Sequence, residues 1–162
     1  MPTSLLETIV NNAGSIIAAI DGTGDYNYDW GASNIEDLAH CTFPNAVIQA
    51  VEEENLDEDN GAHSQAYQNG VSLEIKIRHI NASEDTNPNY AIRARLFRAL
   101  DDIKRAFGNN CSLSGAGDCM LYRGSTFDIT RIGNDDIFIP YEMTSMWYIR
   151  YTQDRKDPDS FA

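Results

Sequence analysis

The apolar residues Leu5, Leu6, Ile9, Val10, Ala13, Ile16, Ile17 and Ile20 recur at spacings of three and four. That period lays one apolar stripe along a helix, so the pattern predicts an amphipathic helix from Ser4 to Ile20. Ser4-Leu5-Leu6-Glu7 forms a capping box at its start, and Asp21-Gly22 stops it. Residues 21–44 lose the period. They are rich in Gly, Asp and Asn, with Tyr26, Tyr28 and Trp30 alternating, and read as a long connection of the kind that usually carries function. After Phe43-Pro44, the residues Ala46, Val47, Ile48, Ala50 and Val51 predict a strand. It is expected to dissolve at Glu52 into an acidic loop that ends at Gly61.

The period then changes from helical to alternating. Val71, Leu73, Ile75 and Ile77 fall on one side of a strand running to Ile80, and Ser72, Glu74, Lys76 and Arg78 on the other. A second helix is predicted from Asn87-Pro88, a cap followed by proline at the first helical position, to Gly108. Its stripe is Ile92, Leu96, Ala99, Leu100, Ile103 and Phe107. Cys111 to Asp118 is a Gly/Ser loop. Two further strands are predicted, Cys119 to Ile132 and Met143 to Tyr151, the latter setting Met143, Ser145, Trp147, Ile149 and Tyr151 against Thr144, Met146, Tyr148 and Arg150. The expected fold is α+β in the order α-β-β-α-β-β. It has an antiparallel sheet with both helices on one face. One domain spans residues 1–152, and residues 153–162 read as a polar tail.

Charge sharpens this picture. The 162 residues carry a net charge of −13, and residues 1–75 contain 13 acidic side chains and no Lys or Arg. The remaining residues hold 12 acidic and 12 basic side chains, so the whole excess lies in the first half. Such a half repels phosphate backbones and anionic membranes. It reads as a solubilising face or as a surface that DNA passes without sticking. No apolar run approaches a membrane span, and no basic residue precedes the first apolar stretch as in a signal peptide. The chain is therefore expected to be soluble and made in a cytoplasm. Of the three cysteines only Cys111 and Cys119 are close in sequence. A bridge between them is open, but an odd count in a chain of this size favours reduced thiols.

The search for chemistry is mostly negative. Counted from Asp57 as an EF-hand loop, the sixth residue is Ala62 where Gly is required, and the twelfth is Gln68 where Glu is required. The histidines His40, His63 and His79 make no zinc spacing with the cysteines. His79 falls in the buried phase of its strand and reads as structural. Neither Gly22-Thr23-Gly24 nor Gly115-Ala116-Gly117 completes a phosphate-binding fingerprint. No catalytic residue, cofactor or metal is expected.

Several stretches together resemble a known family. Tyr26-Asn27-Tyr28-Asp29-Trp30 follows the opening helix. Phe43-Pro44-Asn45-Ala46-Val47-Ile48 leads into Glu52-Glu53-Glu54. Leu100-Asp101-Asp102-Ile103-Lys104-Arg105-Ala106-Phe107 closes the second helix, and Trp147-Tyr148-Ile149-Arg150-Tyr151 precedes Asp157-Pro158. In this order of elements the chain resembles the tail terminator (tail completion, or minor tail) proteins of long-tailed bacteriophages. The resemblance implies a structural virion protein assembled in the bacterial cytoplasm and carrying no catalytic residues. It would form a hexameric ring with copies of itself at the head-proximal end of the tail tube, stop tube growth, and dock the head connector. DNA would pass through the lumen unbound. On that reading Glu52, Glu53, Glu54, Asp57, Glu58 and Asp59 are candidates for an acidic lumen loop. Lys76, Arg78, Met146, Tyr148 and Arg150 are candidates for the subunit or tube interface. The competing readings are another neck or tail subunit, or a small cytosolic enzyme or ligand-binding domain using the acidic or Gly/Ser loop.

Overall fold

Ser4 is extended and its Oγ accepts the Glu7 backbone N–H at 3.2 Å, which starts α1 (Leu5–Ala18) where the capping box predicts. The computed structural model describes residues 4–20, 44–56, 66–80, 88–131 and 140–161. After α1 come β1 (Asn45–Asn55), β2 (Ala66–Ile80), α2 (Pro88–Asn109), β3 (Leu121–Arg131) and β4 (Pro140–Asp154). The strands form one antiparallel sheet in the order β1-β2-β4-β3. The element order, the sheet type and the fold class are those the periodicities predict. Neither described helix is long and apolar enough to cross a membrane.

The alternation of the two central strands decides where the core sits. Val71, Leu73, Ile75 and Ile77 of β2, and Met143, Trp147, Ile149 and Tyr151 of β4, are buried on one face. Leu5, Ile9, Ala13 and Ile17 of α1 join the same cluster, as do Ile92, Leu96, Ala99, Leu100, Ile103 and Phe107 of α2. Both helices therefore cover one face of the sheet. Trp147 is 2% exposed, with its ring between Phe107 and Tyr122 at centroid distances of 4.9 and 5.1 Å. Its Nε1–H donates to Ser145 Oγ at 2.9 Å, and that hydroxyl donates to the Ile75 carbonyl at 3.1 Å. The polar end of the indole is thus satisfied inside the core, as burial demands.

Strands β1, β2 and β4 run further than the sequence pattern suggests, while β3 falls within the expected Cys119 to Ile132. Glu52, Glu53 and Glu54 lie in β1, where a loop is expected; they pair with Ser72, Val71 and Gly70 of β2. A bulge between Ala50 and Glu52 shifts the alternation, so Glu53 shares a face with Val71 and Glu54 with Gly70. Likewise β2 begins at Ala66, five residues before its alternation becomes apolar, because Ala66 to Gly70 pair with Asp154 to Arg150. The expected polar tail is folded back on the sheet. Gln153 and Asp154 finish β4, the Asp154 N–H reaches the Ser160 carbonyl at 3.0 Å, and Phe161 bridges Gln153 with its ring 6.5 Å from that of Tyr151.

Trp147→Ala is expected to lower unfolding stability by about 3–5 kcal/mol, the usual cost of emptying a large aromatic site. Asp159→Ala, on the exposed turn, is expected to change it by no more than about 0.5 kcal/mol. Urea denaturation of both variants checks the contrast.

Candidate functional site

Opposite the helices, the sheet carries a row of side chains that runs across all four strands. Tyr148 of β4 lies over Gly70 of β2, and a Cβ at position 70 would sit 1.9 Å from its Oη. The bare glycine lets the ring cross β2, and Tyr148 Oη donates to Glu54 Oε1 of β1 at 2.6 Å. From the other side the Arg123 guanidinium of β3 sits 4.9 Å from the ring centroid. Burial first, and the Glu54 carboxylate second, raise the Tyr148 phenol above its ordinary range. On the same face Arg78 Nε donates to Glu142 Oε2 at 2.8 Å, and Lys76 pairs with Glu74 at 3.6 Å.

The five candidate interface residues therefore share one face, but differ in availability. Arg150 is exposed, and Lys76 and Met146 are half-buried. Arg78 and Tyr148 are 5% and 7% exposed and are engaged within the chain. Their alternation looked like that of solvent-facing residues because the partners, Glu142 and Glu54, lie 64 and 94 positions away.

The acidic run is divided by the bulge. Glu53 turns to the helix side and accepts a hydrogen bond from Tyr151 Oη. Burial first, then Glu53, raise that phenol strongly. Beside it Asn55 Nδ2 donates to Asn69 Oδ1, and Asn69 Nδ2 to Gln153 Oε1, both at 3.2 Å. Glu53, Asn55, Tyr67, Asn69 and Gln153 line an open polar cavity of about 360 Å³. Of the predicted lumen residues, Glu52 is exposed on the β1 edge. Asp57, Glu58 and Asp59 lie outside the described residues, as do His40, Cys41, His63 and residues 21–43.

A second cleft, about 340 Å³, opens between the C-terminal turns of α1 and α2. Asp102 lines it with its side chain 4% exposed; Oδ1 accepts from Arg105 at 3.1 Å, while Oδ2 has no hydrogen-bond partner. Among the described residues no group of three or more His, Cys, Asp or Glu is placed to hold a metal ion.

The two open edges of the sheet contrast in chemistry. On β1 the residues Gln49 to Asn55 are exposed, with Val51 followed by three glutamates. On β3 and the neighbouring face of α2, Leu121, Tyr122, Phe127, Phe97 and Tyr90 are exposed. Phe97 and Phe127 meet edge to face at 5.4 Å, and Lys104 caps Tyr122 at 4.4 Å. Exposed Arg93 and Arg98 of α2 and Arg131 of β3 belong to the same elements, with Asp101 and Asp128 among them, whereas Arg123 and Leu121 lie on the Tyr148 side of the sheet. Sequence reasoning missed Gly70, Arg123, Phe97 and Phe127. An isolated glycine ahead of a strand was the available signal for close approach at Gly70. No family model and no curated protein matches this sequence.

The shifted ionisations fit hydrogen bonding and packing. His79, Cys119, Tyr148 and Tyr151 are each displaced towards the neutral form. His79 is 6% exposed and its Nδ1 accepts the Ile80 N–H at 2.8 Å. Burial and then the Arg95 charge push its pKa from 6.5 down to about 4. Because the folded value is the lower one, the neutral imidazole contributes stability above pH 6.5 that is lost as the pH falls to about 4. The loss should approach about 3 kcal/mol. Unfolding free energies of the wild type and His79→Gln between pH 7.5 and 4 check this: the difference between the two curves should change across that window, by an amount set by His79 alone.

Proposed function

We propose that this protein is a tail terminator subunit. It forms a ring, hexameric by the family resemblance, at the head-proximal end of a phage tail tube. There it stops tube elongation and presents the docking face for the head connector. The observation that carries the reading is the opposite character of the two sheet edges. A head-to-tail ring joins two different surfaces of one chain, and closes when the rotation between copies divides the circle. The β1 edge offers Val51 with Glu52, Glu53 and Glu54; the flank formed by β3 and α2 offers an aromatic patch on elements that also carry exposed arginines. These surfaces complement each other in charge, and the exposed aromatics are of the kind interfaces bury. Acidic charge continuing through Asp57, Glu58 and Asp59 supports a lumen that DNA crosses without binding.

A second reading, a small-ligand-binding domain, draws on the half-satisfied Asp102 carboxylate beside the α1–α2 cleft. The two readings separate on assembly, since a ligand-binding domain has no effect on tails.

Phage particles made without this protein are expected to carry tails of uncontrolled length or tails without heads. Electron microscopy of such particles is the test, and head-joined tails of normal length would overturn the proposal. Phe127→Asp should leave the monomer folded, since Phe127 is 60% exposed. It should nevertheless abolish capping when the variant is mixed with tube protein; unchanged tube lengths relative to wild type would move the interface away from the β3 flank.

A further inference from the structure

Between α2 and β3 the chain makes a loop that is closed at its neck and fixed to the core. The Met120 N–H donates to the Cys111 carbonyl at 2.6 Å. That hydrogen bond joins the backbone at Cys111 to the peptide that follows Cys119, and so brings the two cysteines together across the neck. The Cys119 Sγ donates to the Met120 carbonyl at 3.9 Å, and the Cys111 thiol lies close enough to raise the Cys119 thiol above its ordinary value. Both thiols are free; Cys119 is exposed and Cys111 half-buried.

The neck has little freedom to drift apart. Leu113, at the loop's apex, is fully buried, and its carbonyl accepts Asn12 Nδ2 of α1 at 3.0 Å. Leu113 and Ser114 hold φ of 49° and 60°, a conformation that side chains rarely adopt and that this anchoring maintains. On the returning limb the Asp118 N–H donates to the Arg150 carbonyl at 2.8 Å. A Cβ on Gly117 would lie 2.5 Å from that same oxygen, so the loop backbone is in direct contact with β4.

We propose that Cys111 and Cys119 form a dithiol site that reacts with low-molecular-weight disulfides and closes into an intramolecular disulfide across the loop neck. Cys119, the more exposed, loses its proton to solvent, and its thiolate attacks one sulfur of the reagent. The reagent's S–S bond breaks and one reagent thiolate leaves. The Cys111 thiolate then attacks the Cys119 sulfur of the mixed disulfide and expels the second reagent thiolate. Each leaving thiolate takes up a proton, so two protein thiols are oxidised and one disulfide is reduced to two thiols. Because the nearby Cys111 thiol raises the Cys119 thiol, exchange should accelerate as the pH rises.

Reduced full-length protein treated with oxidised glutathione tests the site by intact mass, thiol counting and peptide mapping. The expected product has lost two hydrogens, retains one titratable thiol of three, and contains a Cys111–Cys119 cross-linked peptide. Cys111→Ser should stop at a glutathione adduct on Cys119, and reduction should restore the wild type. A wild type that stops at glutathione adducts, links through Cys41, or keeps all three thiols overturns the proposal.

Discussion

The register between β2 and β4 is the constraint on which the remaining structure depends. Each strand is 15 residues long and they pair without interruption from Ala66↔Asp154 to Ile80↔Pro140. Side chains alternate between faces, so a slip of one residue would carry every apolar side chain of a strand to the opposite face. In the observed register Leu73 stands opposite Trp147, Val71 opposite Ile149 and Ile77 opposite Met143, all under the helices. The same register puts Gly70 opposite Arg150 and next to Ser72↔Tyr148, which lets the Tyr148 ring cross to β1. Two tyrosines three residues apart thereby fall on opposite faces, and the bulge in β1 delivers a different glutamate to each.

This explains what was legible in the sequence. Helix stripes and the alternation of Val71–Ile77 and Met143–Tyr151 are local signals, and they gave the element order and the sheet faces. The extensions of β1, β2 and β4 were not legible because long-range partners hold them. Glu52-Glu53-Glu54 has poor strand propensity and reads as a loop; Tyr148 and Tyr151, 94 and 98 residues away, provide the hydrogen bonds that extend the strand. Tyr67-Gln68-Asn69-Gly70 lacks the apolar alternation that begins at Val71, yet Asn69 sits in a ladder of amides linking Asn55 to Gln153. The polar tail carries one aromatic, Phe161, and only the position of Tyr151 shows what it packs on. For the site, the residue types were visible but their availability was not: Arg78 and Tyr148 have the pattern of exposed residues and the burial of internal ones.

The chain by itself leaves two surfaces of unlike cost. Aromatic area at Phe97, Phe127 and Tyr122 is exposed on one flank. On the opposite edge, consecutive glutamates add like-charge repulsion within a chain already at −13. A backbone edge with free hydrogen-bonding groups is usually blunted against promiscuous pairing, and charge is one way of doing so. On the proposed reading, Glu52 to Glu54 keep two β1 edges apart, since an isologous pairing would set glutamates against glutamates. Pairing of β1 with an arginine-bearing flank would relieve the same repulsion. On that reading, edge chemistry selects against twofold dimers and in favour of head-to-tail contacts before any ring size is considered.

That selectivity also bears on when assembly would occur. Each copy brought into a ring would add its own acidic excess, which repels the acidic surface of neighbouring copies within a Debye length of about 10 Å, whereas the complementary contact is fixed per interface. A free partial ring is then the least favourable species: it carries that repulsion with two edges still unpaired. A template that binds each copy separately removes this barrier, because the template contact compensates each addition as it is made. On the proposed reading the tube end is that template. Strongly segregated charge in a small, well-packed subunit is then coherent with a chain that stays dispersed in solution and closes its ring only where a tube already stands.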